Sequence, residues 1–146
     1  MNIVSTQYAL NRETLEIYLS GCNFHCPDCQ NQELWDFNVG SEWSGWLLNL
    51  EHKLKSSLVR EIWILGGEVL HQDHNELINF LKFINKFNKS VWLWTGVDTI
   101  EEIPDDIIEL VDYVKLGKYN KDLEPIIDQL TGIELASNNQ RIIKIK

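Results

Sequence analysis

Five runs rich in β-branched and aromatic residues recur along the chain, at 15–20, 61–65, 91–95, 113–116 and 142–145, and each reads as a β-strand. Between them the apolar positions switch to helical spacing. Trp46, Leu47, Leu50 and Leu54 predict a helix that Ser41 or Ser44 caps and that runs to about Ser56. Asp73 caps the next, whose stripe of Leu77, Ile78, Leu81, Phe83, Ile84 and Phe87 ends at Asn88. Pro104 with Asp105 and Asp106 suits the first turn of a third, ahead of Ile107, Ile108 and Leu110. Residues 122–130 read as a fourth, shorter helix. The tail from Arg141 to Lys146 alternates isoleucine with basic residues, the pattern of an edge strand whose lysines deter aggregation.

Strands alternating with helices at this pitch imply βαβ units, a parallel sheet and right-handed crossovers. Roughly five strands cannot close a barrel of eight, and 146 residues fall well short of the ~250 of a complete (β/α)₈ barrel. The expected fold is therefore α/β: an open partial (β/α) TIM-like half-barrel with a curved, mainly parallel sheet. With no repeat, low-complexity segment or linker, residues 1–146 are expected to form a single domain. Cys22 follows the first of these strands, Gly66 the second and Gly96 the third, which places all three at the carboxyl edge of the sheet, where such folds put their sites.

Composition narrows the function. Hydrophobic residues make up 44% and charged residues 24%, which is ordinary for a folded globular chain. A net charge of −9 is the wrong sign for a phosphate-backbone binder, so no nucleic-acid partner is expected. No apolar stretch approaches the ~20 residues of a membrane span, and no signal-peptide core opens the chain. The expectation is a cytoplasmic protein without a membrane partner, in a compartment where clustered cysteines serve as metal ligands rather than disulfides.

The three cysteines fall within eight residues, Cys22-Asn23-Phe24-His25-Cys26-Pro27-Asp28-Cys29, a C-x₃-C-x₂-C run with no fourth cysteine anywhere. A closed zinc site wants four ligands and a ferredoxin-type cubane four thiolates, so three leave one metal position open to a substrate or cosubstrate. Pro27 restricts the backbone between the second and third ligands. The run reads as the binding loop of a [4Fe–4S] cluster, with Cys22, Cys26 and Cys29 as ligands. The spacing alone also admits a zinc knuckle completed by His25, or by the more distant His52, His71 or His74.

The spacing resembles the cluster motif of the radical S-adenosylmethionine enzymes, and the likeness extends further. Asn31-Gln32-Glu33-Leu34-Trp35-Asp36-Phe37, Trp63-Ile64-Leu65-Gly66-Gly67-Glu68, Leu93-Trp94-Thr95-Gly96, the segment from Asp112 to Tyr119, and Asn138-Asn139-Gln140-Arg141 each resemble, in order, a segment of the activating proteins of anaerobic ribonucleotide reductase. Two positions depart from the pattern: Val69 stands where the family has proline, and Asp28 precedes the third cysteine.

The resemblance implies a [4Fe–4S] cluster and S-adenosyl-L-methionine as cofactors. It implies reductive cleavage of the cosubstrate to a 5′-deoxyadenosyl radical, which takes hydrogen from a glycine of the reductase large subunit and leaves a glycyl radical there. An external one-electron donor such as flavodoxin or ferredoxin is implied, with a homodimer possible. The alternative is a small radical enzyme acting on another glycyl radical enzyme, a peptide or a modified-base precursor. By resemblance, Gly66, Gly67 and Glu68 bind the methionine amino group, with Glu68 as acceptor; Thr95 lies close to the cosubstrate; and Asn31 orients the cluster loop or touches ligand. From residue chemistry alone, Gly66–Gly67 is equally a tight turn and Thr95 or Asn31 a satisfied turn residue. The roles of Asn139, Gln140 and Arg141 stay open, as does whether Trp35, Trp43 and Trp46 are core or, with Phe37, a docking face.

Overall fold

Alternation within the strands divides the molecule into two faces. The computed structural model describes all 146 residues. Its elements run β1 (Asn2–Ala9), β2 (Thr14–Leu19), β3 (Ser41–Glu42), α1 (Leu47–Leu54), β4 (Glu61–Gly66), α2 (His74–Asn85), β5 (Ser90–Trp94), α3 (Asp105–Ile108), β6 (Tyr113–Leu116), β7 (Ile126–Ile127), β8 (Glu134–Leu135) and β9 (Arg141–Lys144). In β4, β5 and β6 the residues Ile62, Ile64, Val91, Leu93, Val114 and Leu116 point one way, into a core that Leu50, Leu54, Leu77, Phe80, Leu81, Ile84 and Ile107 of the three helices complete. Trp63, Trp92, Trp94 and Tyr113 point the other way and form an aromatic floor with Ile133, Leu135 and Ile142. Trp92 stacks on Tyr113 at 4.1 Å between ring centroids. A strict period of two thus gives each strand an aliphatic side for helices and an aromatic side for the site.

The seven-stranded sheet has the order β3-β1-β2-β4-β5-β6-β9. Its centre, β2-β4-β5-β6, is parallel, and β1, β3 and β9 flank it antiparallel. The two ends do not pair with each other, so the sheet is an open partial barrel, as the strand count requires. The tail is the edge strand the alternation predicts.

Local signals account for most elements. The Asp73 carboxylate accepts from the Glu76 N–H at 3.0 Å and caps α2. Asn88 takes a left-handed φ of 53° beyond the helix end, which asparagine tolerates. α1 starts later than its pattern suggests. A 3₁₀ turn over Trp43–Trp46 precedes it, no side chain caps it, and Ser41 Oγ instead accepts from Trp46 Nε1 at 2.9 Å.

One expected element is absent: residues 122–130 form no helix. Ile126 and Ile127 pair with Leu135 and Glu134 as a small hairpin. The Asp128 carboxylate captures the Leu130 and Thr131 N–H groups at 3.1 and 2.9 Å, which is turn chemistry rather than helix chemistry. Pro125 also removes the N–H that a helix interior would need. The strand β1, for which no pattern was read, lies between β2 and the two-residue β3.

Candidate functional site

A cavity of about 390 Å³ lies at the carboxyl ends of the parallel strands, and its walls include Cys22, Cys26, Cys29, Asn31, Gly66, Gly67, Glu68 and Thr95. Every residue singled out in the sequence for metal or cofactor binding therefore meets at one place. The cysteine loop reaches this position because Gly21, at φ 98°, turns the chain out of β2, and because His25 (φ 49°) and Asp28 (φ 56°) take left-handed conformations inside it. The Gly21 and Cys22 N–H groups donate to Leu34 and Trp35 carbonyls at 2.7 and 3.1 Å, so the segment after the loop holds its base.

The three thiols face this cavity, but no three His, Cys, Asp or Glu side chains converge on a single point as a mononuclear site would need. Three thiolates surrounding a cluster, each on a different iron, require no such convergence. Three of the four histidines considered for a zinc site are engaged elsewhere, and His52 lies on α1, away from the cavity wall. His25 packs on Trp35 with ring centroids 4.5 Å apart, His71 Nδ1 accepts from the Asn23 N–H at 3.0 Å, and His74 contacts Asp106 at 2.7 Å. The Asn31 N–H donates to Cys29 Sγ at 3.4 Å. Burial pushes the Cys22 thiol up, against the pull of the Phe24 and His25 backbone N–H groups, and burial likewise raises Cys26. Such thiols release their protons when a cation takes their place. An all-sulfur donor set with amide support, open on one side to a cavity, fits an iron–sulfur cluster.

The glycine pair works by close backbone approach. A Cβ on Gly66, whose φ is 120°, would stand 2.4 Å from the Leu19 carbonyl oxygen, and one on Gly67 would stand 2.4 Å from that of Gly21. The space a side chain would need is thus taken by Leu19 at the end of β2 and by Gly21 at the root of the cysteine loop, and both glycines also line the cavity. The Gly67 and Glu68 N–H groups donate to Leu19 and Gly21 carbonyls, both at 2.8 Å, which laces the glycine turn to the root of the cysteine loop. Gln72 completes the lacing, its Nε2 donating to the carbonyls of Ser20 at 2.9 Å and Glu68 at 3.0 Å.

Glu68 is buried, and protein donors occupy its carboxylate. Oε1 accepts from Thr95 Oγ1 at 2.6 Å and from the Leu70 N–H at 3.0 Å, and Oε2 accepts from the Gly96 N–H at 2.7 Å. Thr95 and Gly96 are thereby bound to the turn after β4.

Sequence reasoning missed two wall residues, Lys115 and Phe24, and left the role of a third, Gln140, open. Lys115 lies buried on the aromatic side of β6, its Nζ donating to the Gly117 carbonyl at 2.7 Å, and burial lowers its pKa to about 8. The available signal was a lysine inside the otherwise apolar strand pattern Tyr113–Leu116. Phe24 packs against His71 at 4.5 Å and under Lys118 Nζ at 4.3 Å, and its ring occupies the space that a Cβ on Gly96 would enter. Gln140 joins the last loops, donating to the Gly117 carbonyl at 3.1 Å and accepting from the Ser137 N–H at 3.2 Å. Asn139 and Arg141 likewise donate to the carbonyls of Lys118 and Asp98, at 2.9 and 2.8 Å, so the C-terminal signature ties loops around the cavity.

The tryptophans divide. Trp43 packs edge-on against Phe80 and also meets Phe83, so it is a half-buried residue seated on the core. Trp46 bonds Ser41, Trp35 packs on His25, and the Phe37 ring covers Gly21.

An open α/β half-barrel that gathers three thiols and a cavity at its carboxyl edge is the architecture of a protein built around one metal cluster. The family model for a 4Fe-4S single cluster domain matches residues 12–143, and the chain belongs to that family. Among its relatives, the anaerobic ribonucleoside-triphosphate reductase-activating protein of Enterobacteria phage T4 is 29% identical over 131 residues, covering 86% of this chain and 80% of the relative. The protein of that name from Escherichia coli K12 is 25% identical over 118 residues, 74% and 75% of the two chains. The one from Vibrio cholerae is 24% identical over 138 residues, 87% and 84%.

Proposed function

We propose that this chain is an activating enzyme of an anaerobic ribonucleoside-triphosphate reductase. In this reading Cys22, Cys26 and Cys29 hold a [4Fe–4S] cluster, and S-adenosylmethionine occupies the adjoining cavity beside Gly66, Gly67, Glu68, Asn31 and Thr95. The observation that carries it is a set of three thiols, with no fourth in the chain, facing one cavity walled by the glycine turn. When bound, the cluster supplies the electron that splits the cosubstrate's sulfonium into methionine and a 5′-deoxyadenosyl radical. The protein's own share is positioning and exclusion of water. The lacing of Gly67, Glu68 and Gln72 to the cysteine loop holds cluster and cosubstrate sites in one frame. The buried Lys115 presents a cation to a ligand carboxylate, and the aromatic floor keeps a reactive radical away from solvent.

The hydrogen donor is a glycine of the reductase large subunit. An external carrier of the flavodoxin or ferredoxin kind delivers the electron, and the cytosol keeps the thiols reduced. No helix is long and apolar enough to cross a membrane.

The test is to mix anaerobically reconstituted protein, reductant and S-adenosylmethionine, with and without the reductase large subunit, and to record deoxyadenosine and the radical spectrum. Deoxyadenosine together with a glycyl radical on the reductase supports the proposal. Full activity with zinc and no iron overturns it, and cosubstrate cleavage with no radical on the reductase moves the substrate to another enzyme, a peptide or a modified-base precursor.

A further inference from the structure

Lys115 is a buried charge with no ion-pair partner. It stands on β6 opposite Trp94 of β5 and Ile142 of β9, on the aromatic side of the sheet, and its side chain joins the cavity wall. Only 9% of the residue is exposed, and its Nζ has one acceptor, the Gly117 carbonyl at 2.7 Å. The remaining N–H donors of the ammonium are unclaimed. None of the ion pairs in the molecule includes it. Glu68, the other buried charge in the wall, gives its carboxylate to Thr95, Leu70 and Gly96 instead. A buried ammonium without a counter-ion is costly, so its place beside an open cavity points to an anion there.

The thiolates supply that anion. Cys26 lines the same cavity as Lys115. Burial and the neighbouring Cys29 raise the Cys26 thiol, and Lys118 and Lys115 pull it back. In return, against the burial that lowers Lys115, Glu68 and Cys26 hold it up. The two lysines differ in surroundings. Lys118 is exposed and lies over the Phe24 ring at 4.3 Å, so water and salt screen it, whereas Lys115 is shielded from both. A cubane on three thiolates is a net anion, and one further electron deepens its negative charge. A cation fixed beside it in a low-dielectric wall favours the reduced form.

We infer that Lys115 sets the reduction potential of the cluster, its buried ammonium raising that potential so that the external one-electron carrier can reduce it. The carrier loses one electron as the cluster gains one, and no proton moves. The inference rests on the activating-enzyme reading above, and it gives Lys115 a role before any cosubstrate carboxylate arrives.

The test is an anaerobic redox titration of the reconstituted full chain without S-adenosylmethionine, read from the spectrum of the reduced cluster. Lys115→Met and Lys115→Gln remove the charge, Lys115→Arg restores it, and Lys118→Met removes the screened one. The expected result in both neutral Lys115 variants is at least a tenfold fall in the equilibrium constant for reduction, a downward shift of about 59 mV or more. Lys115→Arg should stay near wild type, and Lys118→Met should shift less than either neutral variant. Unchanged potential in Lys115→Met and Lys115→Gln overturns the inference, even where their affinity for S-adenosylmethionine falls, because Lys115 is then a ligand contact alone. An equal downward shift in Lys115→Arg overturns it too. If neither neutral variant holds a cluster while Lys115→Arg does, the requirement for the charge stands; if none of the three holds one, Lys115 is structural and the inference falls. Wild-type chain that takes up no cubane overturns the activating-enzyme reading instead, and this inference with it.

Discussion

Thr95 Oγ1 donates to Glu68 Oε1 at 2.6 Å, joining the loops after two neighbouring parallel strands inside the cavity wall. With the Leu70 and Gly96 N–H groups on the same carboxylate, Glu68 braces the site. Thr95→Val should therefore destabilise the protein by ~1–3 kcal/mol, because it strips a donor from a buried charged acceptor while keeping side-chain shape. Glu68→Gln should cost a similar amount, since an amide NH₂ would confront the donors that the carboxylate accepts. Chemical denaturation of both single variants and the double variant checks this: one shared brace predicts that the double variant loses less than the sum.

The glycine turn makes a steric prediction. Gly67→Ala sets a methyl 2.4 Å from the Gly21 carbonyl oxygen, a backbone atom that cannot step aside cheaply. The expected outcome is ~1–3 kcal/mol of destabilisation together with a loosened cysteine loop, read as a lower denaturation midpoint and lower iron retention after reconstitution. Gly45→Ala, where a Cβ meets open space, should change neither. If Gly67→Ala matched wild type in stability, the lacing of this turn to β2 would not matter.

Each of Cys22→Ala, Cys26→Ala and Cys29→Ala should abolish cluster binding, because two thiolates cannot hold a cubane that keeps one iron free. Wild-type protein should take up close to four iron and four sulfide per chain, as a single cubane requires. His25→Ala should keep the cluster, since that ring lies on Trp35 rather than at the cavity wall. Iron analysis and the visible spectrum decide. Loss of metal in His25→Ala, with retention in any cysteine variant, would reverse the ligand assignment.

Lys115 predicts a pH dependence of the cluster-free protein. Burial lowers its pKa from 10.5 to about 8. Between those values the unfolded chain holds a proton that the folded chain has released, so this lysine makes stability rise with pH across the window. Below about pH 8 both states are protonated, and the full cost of burying the charge remains. Lys115→Met should remove that rise, by up to ~3 kcal/mol across the window. It should leave no orphaned carbonyl, because Gln140 also donates to Gly117. The comparison belongs below pH 10, since Tyr18, raised to about 12 by burial and by Glu16, makes stability fall above the ordinary tyrosine range. Parallel stability curves for wild type and Lys115→Met from pH 8 to 10 would contradict the burial of a charged lysine.

The amino-acid sequence by itself determined what depends on neighbours along the chain. Runs of β-branched and aromatic residues marked the four parallel strands, and the alternation of isoleucine with basic residues marked the edge strand. A stripe at helical spacing after Asp73 marked α2, because cap and apolar face both lie within a few turns. The cysteine spacing marked the loop, and the position of Cys22, Gly66 and Gly96 after successive strands placed the site at one sheet edge. Residues 122–130 carry a weak helical pattern that Pro125 and the Asp128 turn outweigh once Ile126 and Ile127 find partners in β8.

Only the tertiary structure decided which distant residues share a space. Nothing local reveals that Gly67 is needed by Gly21, that Glu68 is claimed by Thr95 and Gly96, that Gln72 spans three segments, or that Trp43 meets Phe80 while Trp63 and Trp92 pack against Ile133 and Leu135. The physical reason is that periodicity records whether a position is buried, whereas a hydrogen bond or a close backbone approach depends on the register between strands, and register is settled only when the sheet assembles.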